Sequence, residues 1–533
     1  MLDYAQNFPQ GHEHHADICI IGAGAAGIVL AHKLLGMKTG KRILLLESSS
    51  VDTPGRMIEG HLRILQAYGI YPPELSLGRT HRHEDTVAQW LNAGVESAEL
   101  TAIDSTFLLT SRVRAYGGTT NCWGGWIRPL DAIDFHRADI SPFVTWPIPR
   151  DALFPRYYNE AMYYCSMPDI DVERYDDEAF WRENVPGVEF LDVKRASGGA
   201  MRNSVFLVIS GNDNGKFLDF QSAWGPALQA APAEQCLVLR NANVRLVVGE
   251  SGGHTVDYLF GSTIEDKKRR RDFTIKAKHY VVATGGTESS RLLLHSAPGG
   301  FANPYGKLGR GFQIHPLNTS FATFTLGPNR PPDGVRRLYS GQTTVPIGPR
   351  DRQPKLFAAL APSDKTLRGL PPDHPMRNFR ATIGLNSNPG TINLNWEQTP
   401  NAESRVTLSA EKDRYFGDPL AHLEWHTVAA DTVETPTRAA TLLTSTLVAL
   451  GYAGKVARSG LVINWPGDHH IGATPMSTDP EQGYVDMNCK VHRVDNLFIA
   501  GSSVFPTTGY ANPTLTIIAL AARMADHLAG KAA

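Results

Sequence analysis

Two stretches near the C-terminus carry residue types suited to proton chemistry. Asp468-His469-His470-Ile471-Gly472-Ala473-Thr474 sets adjacent imidazoles on a short polar run that ends in glycine. An unperturbed imidazole titrates near 6.5, so its neutral form can accept a proton at neutral pH. Thr507-Thr508-Gly509-Tyr510-Ala511-Asn512-Pro513-Thr514 runs into an apolar helical pattern extending to about Leu528. Pro513 fits the first helical position and Asn512 the cap. The Asn512 amide can also hold an oxygen and orient the carbon that bears it. The candidate catalytic residues are His469, His470 and Asn512. The plainer alternative is a pair of satisfied loop histidines and a residue that only caps a helix.

A second motif, near the N-terminus, has the form of a dinucleotide-binding turn. Gly22-Ala23-Gly24-Ala25-Ala26-Gly27 lies between an apolar strand, Asp17–Ile21, and an apolar helix through Leu34. The next strand, Arg42–Leu46, ends in Glu47, and the whole reads as a βαβ opening to a parallel sheet. Gly22 permits the tight turn, Gly24 lets a pyrophosphate approach, and Gly27 lets helix and strand pack closely. The helix N-terminus supplies N–H groups and a positive dipole end. Glu47, placed to accept hydrogen bonds from ribose hydroxyls, would repel a 2′-phosphate. A structural glycine turn with an incidental glutamate is the alternative.

Further glycine-bearing segments favour tightly held FAD over NAD. Gly117-Gly118-Thr119-Thr120 precedes Asn121-Cys122-Trp123, and such a pair lets backbone pass close to a flat ring. Val281–Gly286 and Leu497–Ser503 are apolar strands ending in Gly or Ser, which suits a long ligand at the carboxyl ends of parallel strands. The candidate cofactor-binding residues are Gly22, Gly24, Gly27, Glu47, Gly117, Gly118, Thr120, Asn121, Cys122, Val244, Ala283, Gly285, Gly501 and Ser502, with Asn512, Pro513 and Thr514 at the closing helix.

Other segments must position these groups. Trp146-Pro147-Ile148-Pro149 reads as a rigid connector before a helix around Tyr157–Met167. Leu237–Leu246, which holds Val244, and Phe273–Ala283 read as strands returning to the first sheet. The basic run Lys267–Arg271 between them reads as a solvated hairpin turn. From about Asn318 to Glu424, alternating stretches such as Thr391–Trp396, Arg405–Leu408 and Leu420–Trp425 predict an antiparallel sheet walling a pocket. Gln313, Asn386 and Asn395 could bind hydroxyls there. A helix follows with Leu442, Leu443, Leu447 and Leu450 on one side.

Bulk composition narrows the classes. The chain has 533 residues, 42% hydrophobic and 20% charged, with a net charge of -1. That argues against a bulk electrostatic grip on nucleic acid or anionic membrane. No apolar run approaches the roughly 18–20 residues of a membrane span. The opening MLDYAQNFPQGHEHH has neither the basic nor the apolar region of a secretory signal, which points to a cytoplasmic protein. Five widely spaced cysteines, without any CxxC, fit neither a disulfide framework nor a zinc ribbon. His12, His14 and His15 are expected on a mobile, solvated tail rather than around a metal, so no metal site is expected.

In its spaced motifs the chain resembles the glucose–methanol–choline (GMC) FAD oxidoreductase family. The resemblance runs through Gly22–Gly27, Gly117–Gly118, Ala283–Gly286, the Gly309-Arg310-Gly311-Phe312 and His315-Pro316 turn, His469 with Gly472, and Asn512-Pro513-Thr514. Trp146-Pro147-Ile148 and Glu403–Ser409 look like the branch of pyranose oxidases, glycoside 3-oxidases and bacterial sugar dehydrogenases. The resemblance implies an α/β fold, with a Rossmann-like FAD-binding domain at 15–140, 218–315 and 466–533. An interleaved α+β substrate domain on an antiparallel sheet would occupy 141–217 and 316–465. It implies oxidation of a CH–OH group of a sugar or glycoside, at C2 or C3, to a ketone. Hydride passes to flavin N5, His469 aligns with the base and His470, where relatives often have proline, is the runner-up, and oxygen, a quinone or another acceptor takes the electrons. Relatives with covalent FAD carry a histidine where this chain has Cys122, so non-covalent FAD is expected. Competing readings are a GMC enzyme acting on a non-sugar alcohol or natural product, a non-redox flavoprotein lyase, a pyridine-nucleotide disulfide reductase, and a non-catalytic nucleotide-binding module. The substrate, the acceptor and the oligomeric state are not legible.

Overall fold

The computed structural model describes residues 1–50, 78–82, 107–121, 123–136, 145–209, 218–249, 254–265, 270–347, 354–369, 376–428, 430–458 and 468–531. Ile18-Cys19-Ile20-Ile21 closes a strand, His12–Ile21, and is fully buried, as the apolar run of a central parallel strand should be. It lies between Ile43–Leu46 and Asp272–Val282, parallel to both. Cys236–Arg240 and Leu2–Tyr4 extend the sheet on one side, and Leu497–Ile499 joins the end of Asp272–Val282 on the other, all in parallel. Parallel strands end at the same edge, so the turns after Ile21, Val282 and Ile499 gather there. The helix Ala25–Gly36 packs against the closing helix Thr514–Leu528 beside that edge.

A second sheet is antiparallel throughout. Its strands run in the order Ala453–Arg458, Leu317–Leu326, Gly390–Trp396, Phe379–Gly384, Lys355–Pro362, Met201–Val208 and Trp126–Ile127. In Phe379–Gly384 burial alternates: Phe379, Ala381 and Ile383 are buried, whereas Arg380 and Thr382 are half-buried on the other face. Register places Asn395 and Asn393 beside them, so this face is polar where it meets the closing segment.

The architecture is the expected mixed α/β fold, with three local departures. His12, His14 and His15 are not on a mobile tail, because Phe273–Lys276 pairs with His12–His15, and His14 packs edge-on to Phe8 and Phe273. Leu237–Leu246 is two strands, Cys236–Arg240 and Asn243–Val248, broken where Asn241 takes a left-handed φ of 54°. Asn243–Val248 then turns to pair with Tyr258–Ser262. Arg405–Lys412 and Pro419–Trp425 leave the wall for a three-stranded sheet with Gly78–Arg82, which runs parallel to Pro419–Trp425. Sequence alternation reports a half-buried strand but not which sheet claims it. In the helix Thr435–Ala449 and the residue that caps it, Leu443 and Leu447 are buried and Leu442 and Leu450 partly so. Residues 267–269 of the basic run lie outside the described residues, although the strands on either side, Tyr258–Ser262 and Asp272–Val282, pair as an antiparallel hairpin.

Candidate active site

The glycine turn is shaped by what a side chain would strike. A Cβ on Gly22, whose φ is +103°, would stand 2.6 Å from the Ala283 carbonyl oxygen, and one on Gly27 would stand 2.0 Å from that of Gly22. Strand, turn and helix thus meet at a distance only glycine allows. Gly24 enters the helix in an extended conformation with no side-chain cap, leaving first-turn N–H groups for a ligand. Glu47 is buried; its carboxylate accepts from the Ala23 N–H at 3.3 Å and the Ser49 N–H at 2.8 Å.

The Gly117–Gly118 loop lies on this motif. The Gly117 N–H donates to the Ala23 carbonyl at 2.8 Å, and a Cβ on Gly118 would come 3.0 Å from Gly24 Cα. Asn121 Nδ2 donates to the carbonyls of Tyr116 and Gly118 at 2.8 and 2.9 Å, and Thr120 Oγ1 to that of Gly117 at 2.5 Å. Cys122 lies outside the described residues.

A cavity of about 450 Å³ runs from this end to the C-terminal residues. Its wall includes Gly22, Gly24, Glu47, Gly118, Thr120, Val244, Ala283, Gly285, Gly501, Ser502, Asn512, Pro513, Thr514, His469 and His470. Gly27, Gly117 and Asn121 stand behind that wall and shape it.

At the far end two histidines face each other for a reason of register. Gln313 and Ile471 form an antiparallel bridge, with N–H···O distances of 2.8 and 3.0 Å. Two residues further along, that register sets His315 opposite His469. Gly472 permits the close approach: its φ is +75°, and a Cβ there would stand 2.0 Å from the Gly311 carbonyl oxygen. His315 Nδ1 lies 2.7 Å from His469 Nδ1, with the rings edge-to-face at 4.9 Å. His315 Nε2 lies 2.9 Å from the Gly509 carbonyl oxygen. His469 Nε2 lies 3.3 Å from Asn512 Nδ2, and Arg380 Nη1 donates to Asn512 Oδ1 at 2.9 Å.

Asn512 is therefore not the helix cap. The closing helix starts at Thr514 with Pro513 in the cap position and no side-chain cap, which leaves the Asn512 amide to the cavity. His470, in contrast, is pinned: Nε2 lies 2.7 Å from Ser111 Oγ and Nδ1 3.0 Å from Thr287 Oγ1. The two candidate bases therefore meet different partners: His470 is held by two hydroxyls, whereas His469 meets His315 and the Asn512 amide. Gln313 is also turned inward, its Nε2 donating to the Gly311 and Pro506 carbonyls at 3.2 and 3.1 Å.

Burial dominates the electrostatics. It pushes His469 well below 6.5, with His315 and Arg380 adding to the effect. It pushes His315 down to about 3, helped by Arg380. Both imidazoles are neutral at pH 7. Burial lowers Arg380 only to about 10, so the guanidinium stays charged; it lies over the rings of Trp126 and Phe206, at 5.1 and 4.5 Å. Sequence reasoning did not assign roles to His315 and Arg380. The first was visible only as part of the His315-Pro316 turn, and the second as a lone cation in an alternating strand.

Residues 400–521 match the family described as GMC oxidoreductase, and that stretch holds His469, Gly472, Asn512 and Pro513. Over those residues the chain is similar to the GMC oxidoreductases. These are FAD-dependent enzymes acting on CH–OH donors, and the glycine cradle, the buried Glu47 and the continuous cavity fit that cofactor. Fructose dehydrogenase large subunit from Gluconobacter japonicus is 28% identical over 49% of this chain and 48% of its own length, so the chain spans about half of that relative. 2-Methyl-1,2-propanediol dehydrogenase from Mycolicibacterium austroafricanum is 24% identical over 96% of this chain and 95% of its own. Pyridoxine 4-oxidase from Mesorbium loti shares the fold with a TM-score of 0.55 at 16% identity, covering 96% of this chain and 98% of that one. Among the described residues no helix is long and apolar enough to cross a membrane, and no cluster of His, Cys, Asp and Glu could hold a metal.

Proposed function

We propose that this protein oxidises a secondary CH–OH group of a sugar or glycoside, at C2 or C3, to the ketone, with His469 taking the hydroxyl proton. The observation that carries the reading is the pairing of a neutral His469 Nε2 with Asn512 Nδ2, 3.3 Å apart on the wall of the cavity. A hydroxyl lodged against both would donate its proton to Nε2 and accept a hydrogen bond from the amide, which fixes the carbinol carbon. When bound, FAD supplies the two-electron oxidant that takes the carbinol hydrogen as hydride. The first turn of the helix Thr514–Leu528, whose Pro513 and Thr514 line the cavity, offers a positive dipole end to charge that develops nearby.

The same reading assigns FAD, held non-covalently, to the candidate residues at the glycine end. It assigns 15–140, 218–315 and 466–533 to the cofactor domain and 141–217 and 316–465 to the substrate domain, in a cytoplasmic protein. The name of the fructose dehydrogenase relative supports a sugar substrate. A second reading, oxidation of a small non-sugar alcohol, is supported by the near-full-length likeness to the diol dehydrogenase.

Anaerobic mixing of the flavin-loaded protein with sugars, glycosides, diols and simple alcohols tests both. Bleaching by sugars and not by diols supports the first. His469→Ala should slow bleaching by about 10²–10⁴-fold with flavin content unchanged. Bleaching at the wild-type rate in that variant sinks the base assignment.

A further inference from the structure

We infer that His315 is a positioning residue, one that sets the proton order of the catalytic imidazole so that His469 Nε2 is bare when the substrate arrives. The inference rests on the reading of His469 as base and goes beyond it by naming what holds that base in its working tautomer.

Atoms with a single possible role fix both ends of this chain of contacts. The Gly509 carbonyl oxygen has only lone pairs, so His315 Nε2, 2.9 Å away, must carry the hydrogen. A neutral imidazole holds one N–H, so His315 Nδ1 is a bare acceptor. His469 Nδ1, 2.7 Å from it, must then be the N–H. That leaves His469 Nε2 without a hydrogen. The opposite end of the chain of contacts makes the same demand independently. Arg380 has only donors, so the group it meets at 2.9 Å is Asn512 Oδ1. The amide then presents Nδ2–H to His469 Nε2, and a donor there needs a bare nitrogen opposite. From Arg380 to Asn512, His469, His315 and Gly509, every hydrogen points the same way.

Reversing one link fails. If His469 carried its hydrogen on Nε2, it would face the Asn512 N–H groups, and two bare Nδ1 atoms would face each other at 2.7 Å. The arrangement also favours the moment of proton transfer. When the substrate hydroxyl proton reaches Nε2, the His469–His315 contact becomes a charge-assisted hydrogen bond, roughly twice as strong as the neutral one. His315 gains no proton in that step, and the added strength appears only as the charge develops. Besides His315, the groups that bear on the charge of His469 are Arg380 and His470.

The test compares His315→Leu with His315→Asn in the full-length, flavin-loaded protein. Leucine fills the space without an acceptor. Asparagine places an amide oxygen near the position of Nδ1. His315→Leu should lower kcat about 10- to 100-fold, the order expected of a misplaced catalytic group, with flavin absorbance and KM little changed. His315→Asn should recover most of that loss. Nitrogen NMR of histidine-labelled wild-type protein should show His469 protonated at Nδ1 and bare at Nε2, with Nε2 partly protonated in His315→Leu. A kcat within twofold of wild type in His315→Leu, an asparagine variant no better than leucine, or a wild-type His469 carrying its hydrogen on Nε2 would each overturn the inference. Should the leucine variant not fold, the asparagine variant and the wild-type tautomer decide. Normal turnover in His469→Ala brings down the base assignment instead, while the tautomer measured in the wild type still judges the role of His315.

Discussion

Acidification should weaken this fold between pH 7 and pH 5. Burial holds His315 at about 3 and His14 at about 4, and the two side chains belong to residues that are 0% and 5% exposed. In the unfolded chain both titrate near 6.5. Over this interval the unfolded chain binds protons that the folded chain refuses, so stability rises with pH and is lost as pH falls through 6.5. Each histidine costs about 2 kcal/mol by pH 5, or about 4 kcal/mol together. Asp431 opposes them. Burial raises it to about 6, so the folded chain binds its proton first and regains about 1.4 kcal/mol. Glu288 and Asp131, held at about 2 by their arginine neighbours against the opposing effect of burial, stay ionised in both states and contribute nothing here. These three groups together cost about 2–3 kcal/mol, and His469, also held well below 6.5 by burial, adds to the loss in the same direction; that is a large share of the roughly 5–15 kcal/mol that holds a typical domain. Urea midpoints by tryptophan fluorescence at pH 7, 6 and 5, with FAD saturating, measure it. His315→Asn and His14→Gln should each flatten the dependence. A midpoint unchanged or higher at pH 5 would refute the reasoning.

Two further outcomes are expected. Gly27→Ala must separate helix from strand by more than 1 Å, because its Cβ would start 2.0 Å from the Gly22 carbonyl oxygen. It should cost about 1–3 kcal/mol and shed flavin, read by absorbance after gel filtration; retained flavin at wild-type stability counts against the cradle. Arg380→Met frees the Asn512 amide to rotate and removes a charged hydrogen bond worth about 1.5–3 kcal/mol. Its kcat should fall roughly 10- to 100-fold without loss of flavin, and unchanged turnover would show that the guanidinium does not hold the amide.

What could be read from the chain alone was local and ordered along it. The Gly22–Gly27 turn declares itself because its spacing, its apolar flanks and Glu47 all lie in one continuous stretch, and each glycine answers a steric demand inside that stretch. His469 and Asn512 could be singled out as candidates for a similar reason, one lying three residues before Gly472 and the other directly before Pro513. Alternation likewise predicts strands at Thr391–Trp396 and Leu420–Trp425, but it cannot say that only the first joins the wall. Tertiary structure alone decided which histidine meets which partners. His469 and His470 are neighbours of the same type, and successive residues on an extended run point to opposite sides. One side meets Ser111 and Thr287, the other His315 and Asn512. Those partners come from residues far away in the chain, brought in by the Gln313–Ile471 bridge and the closing helix. Hydrogen-bond order depends on which atoms meet, and no pattern within a single stretch of sequence records that.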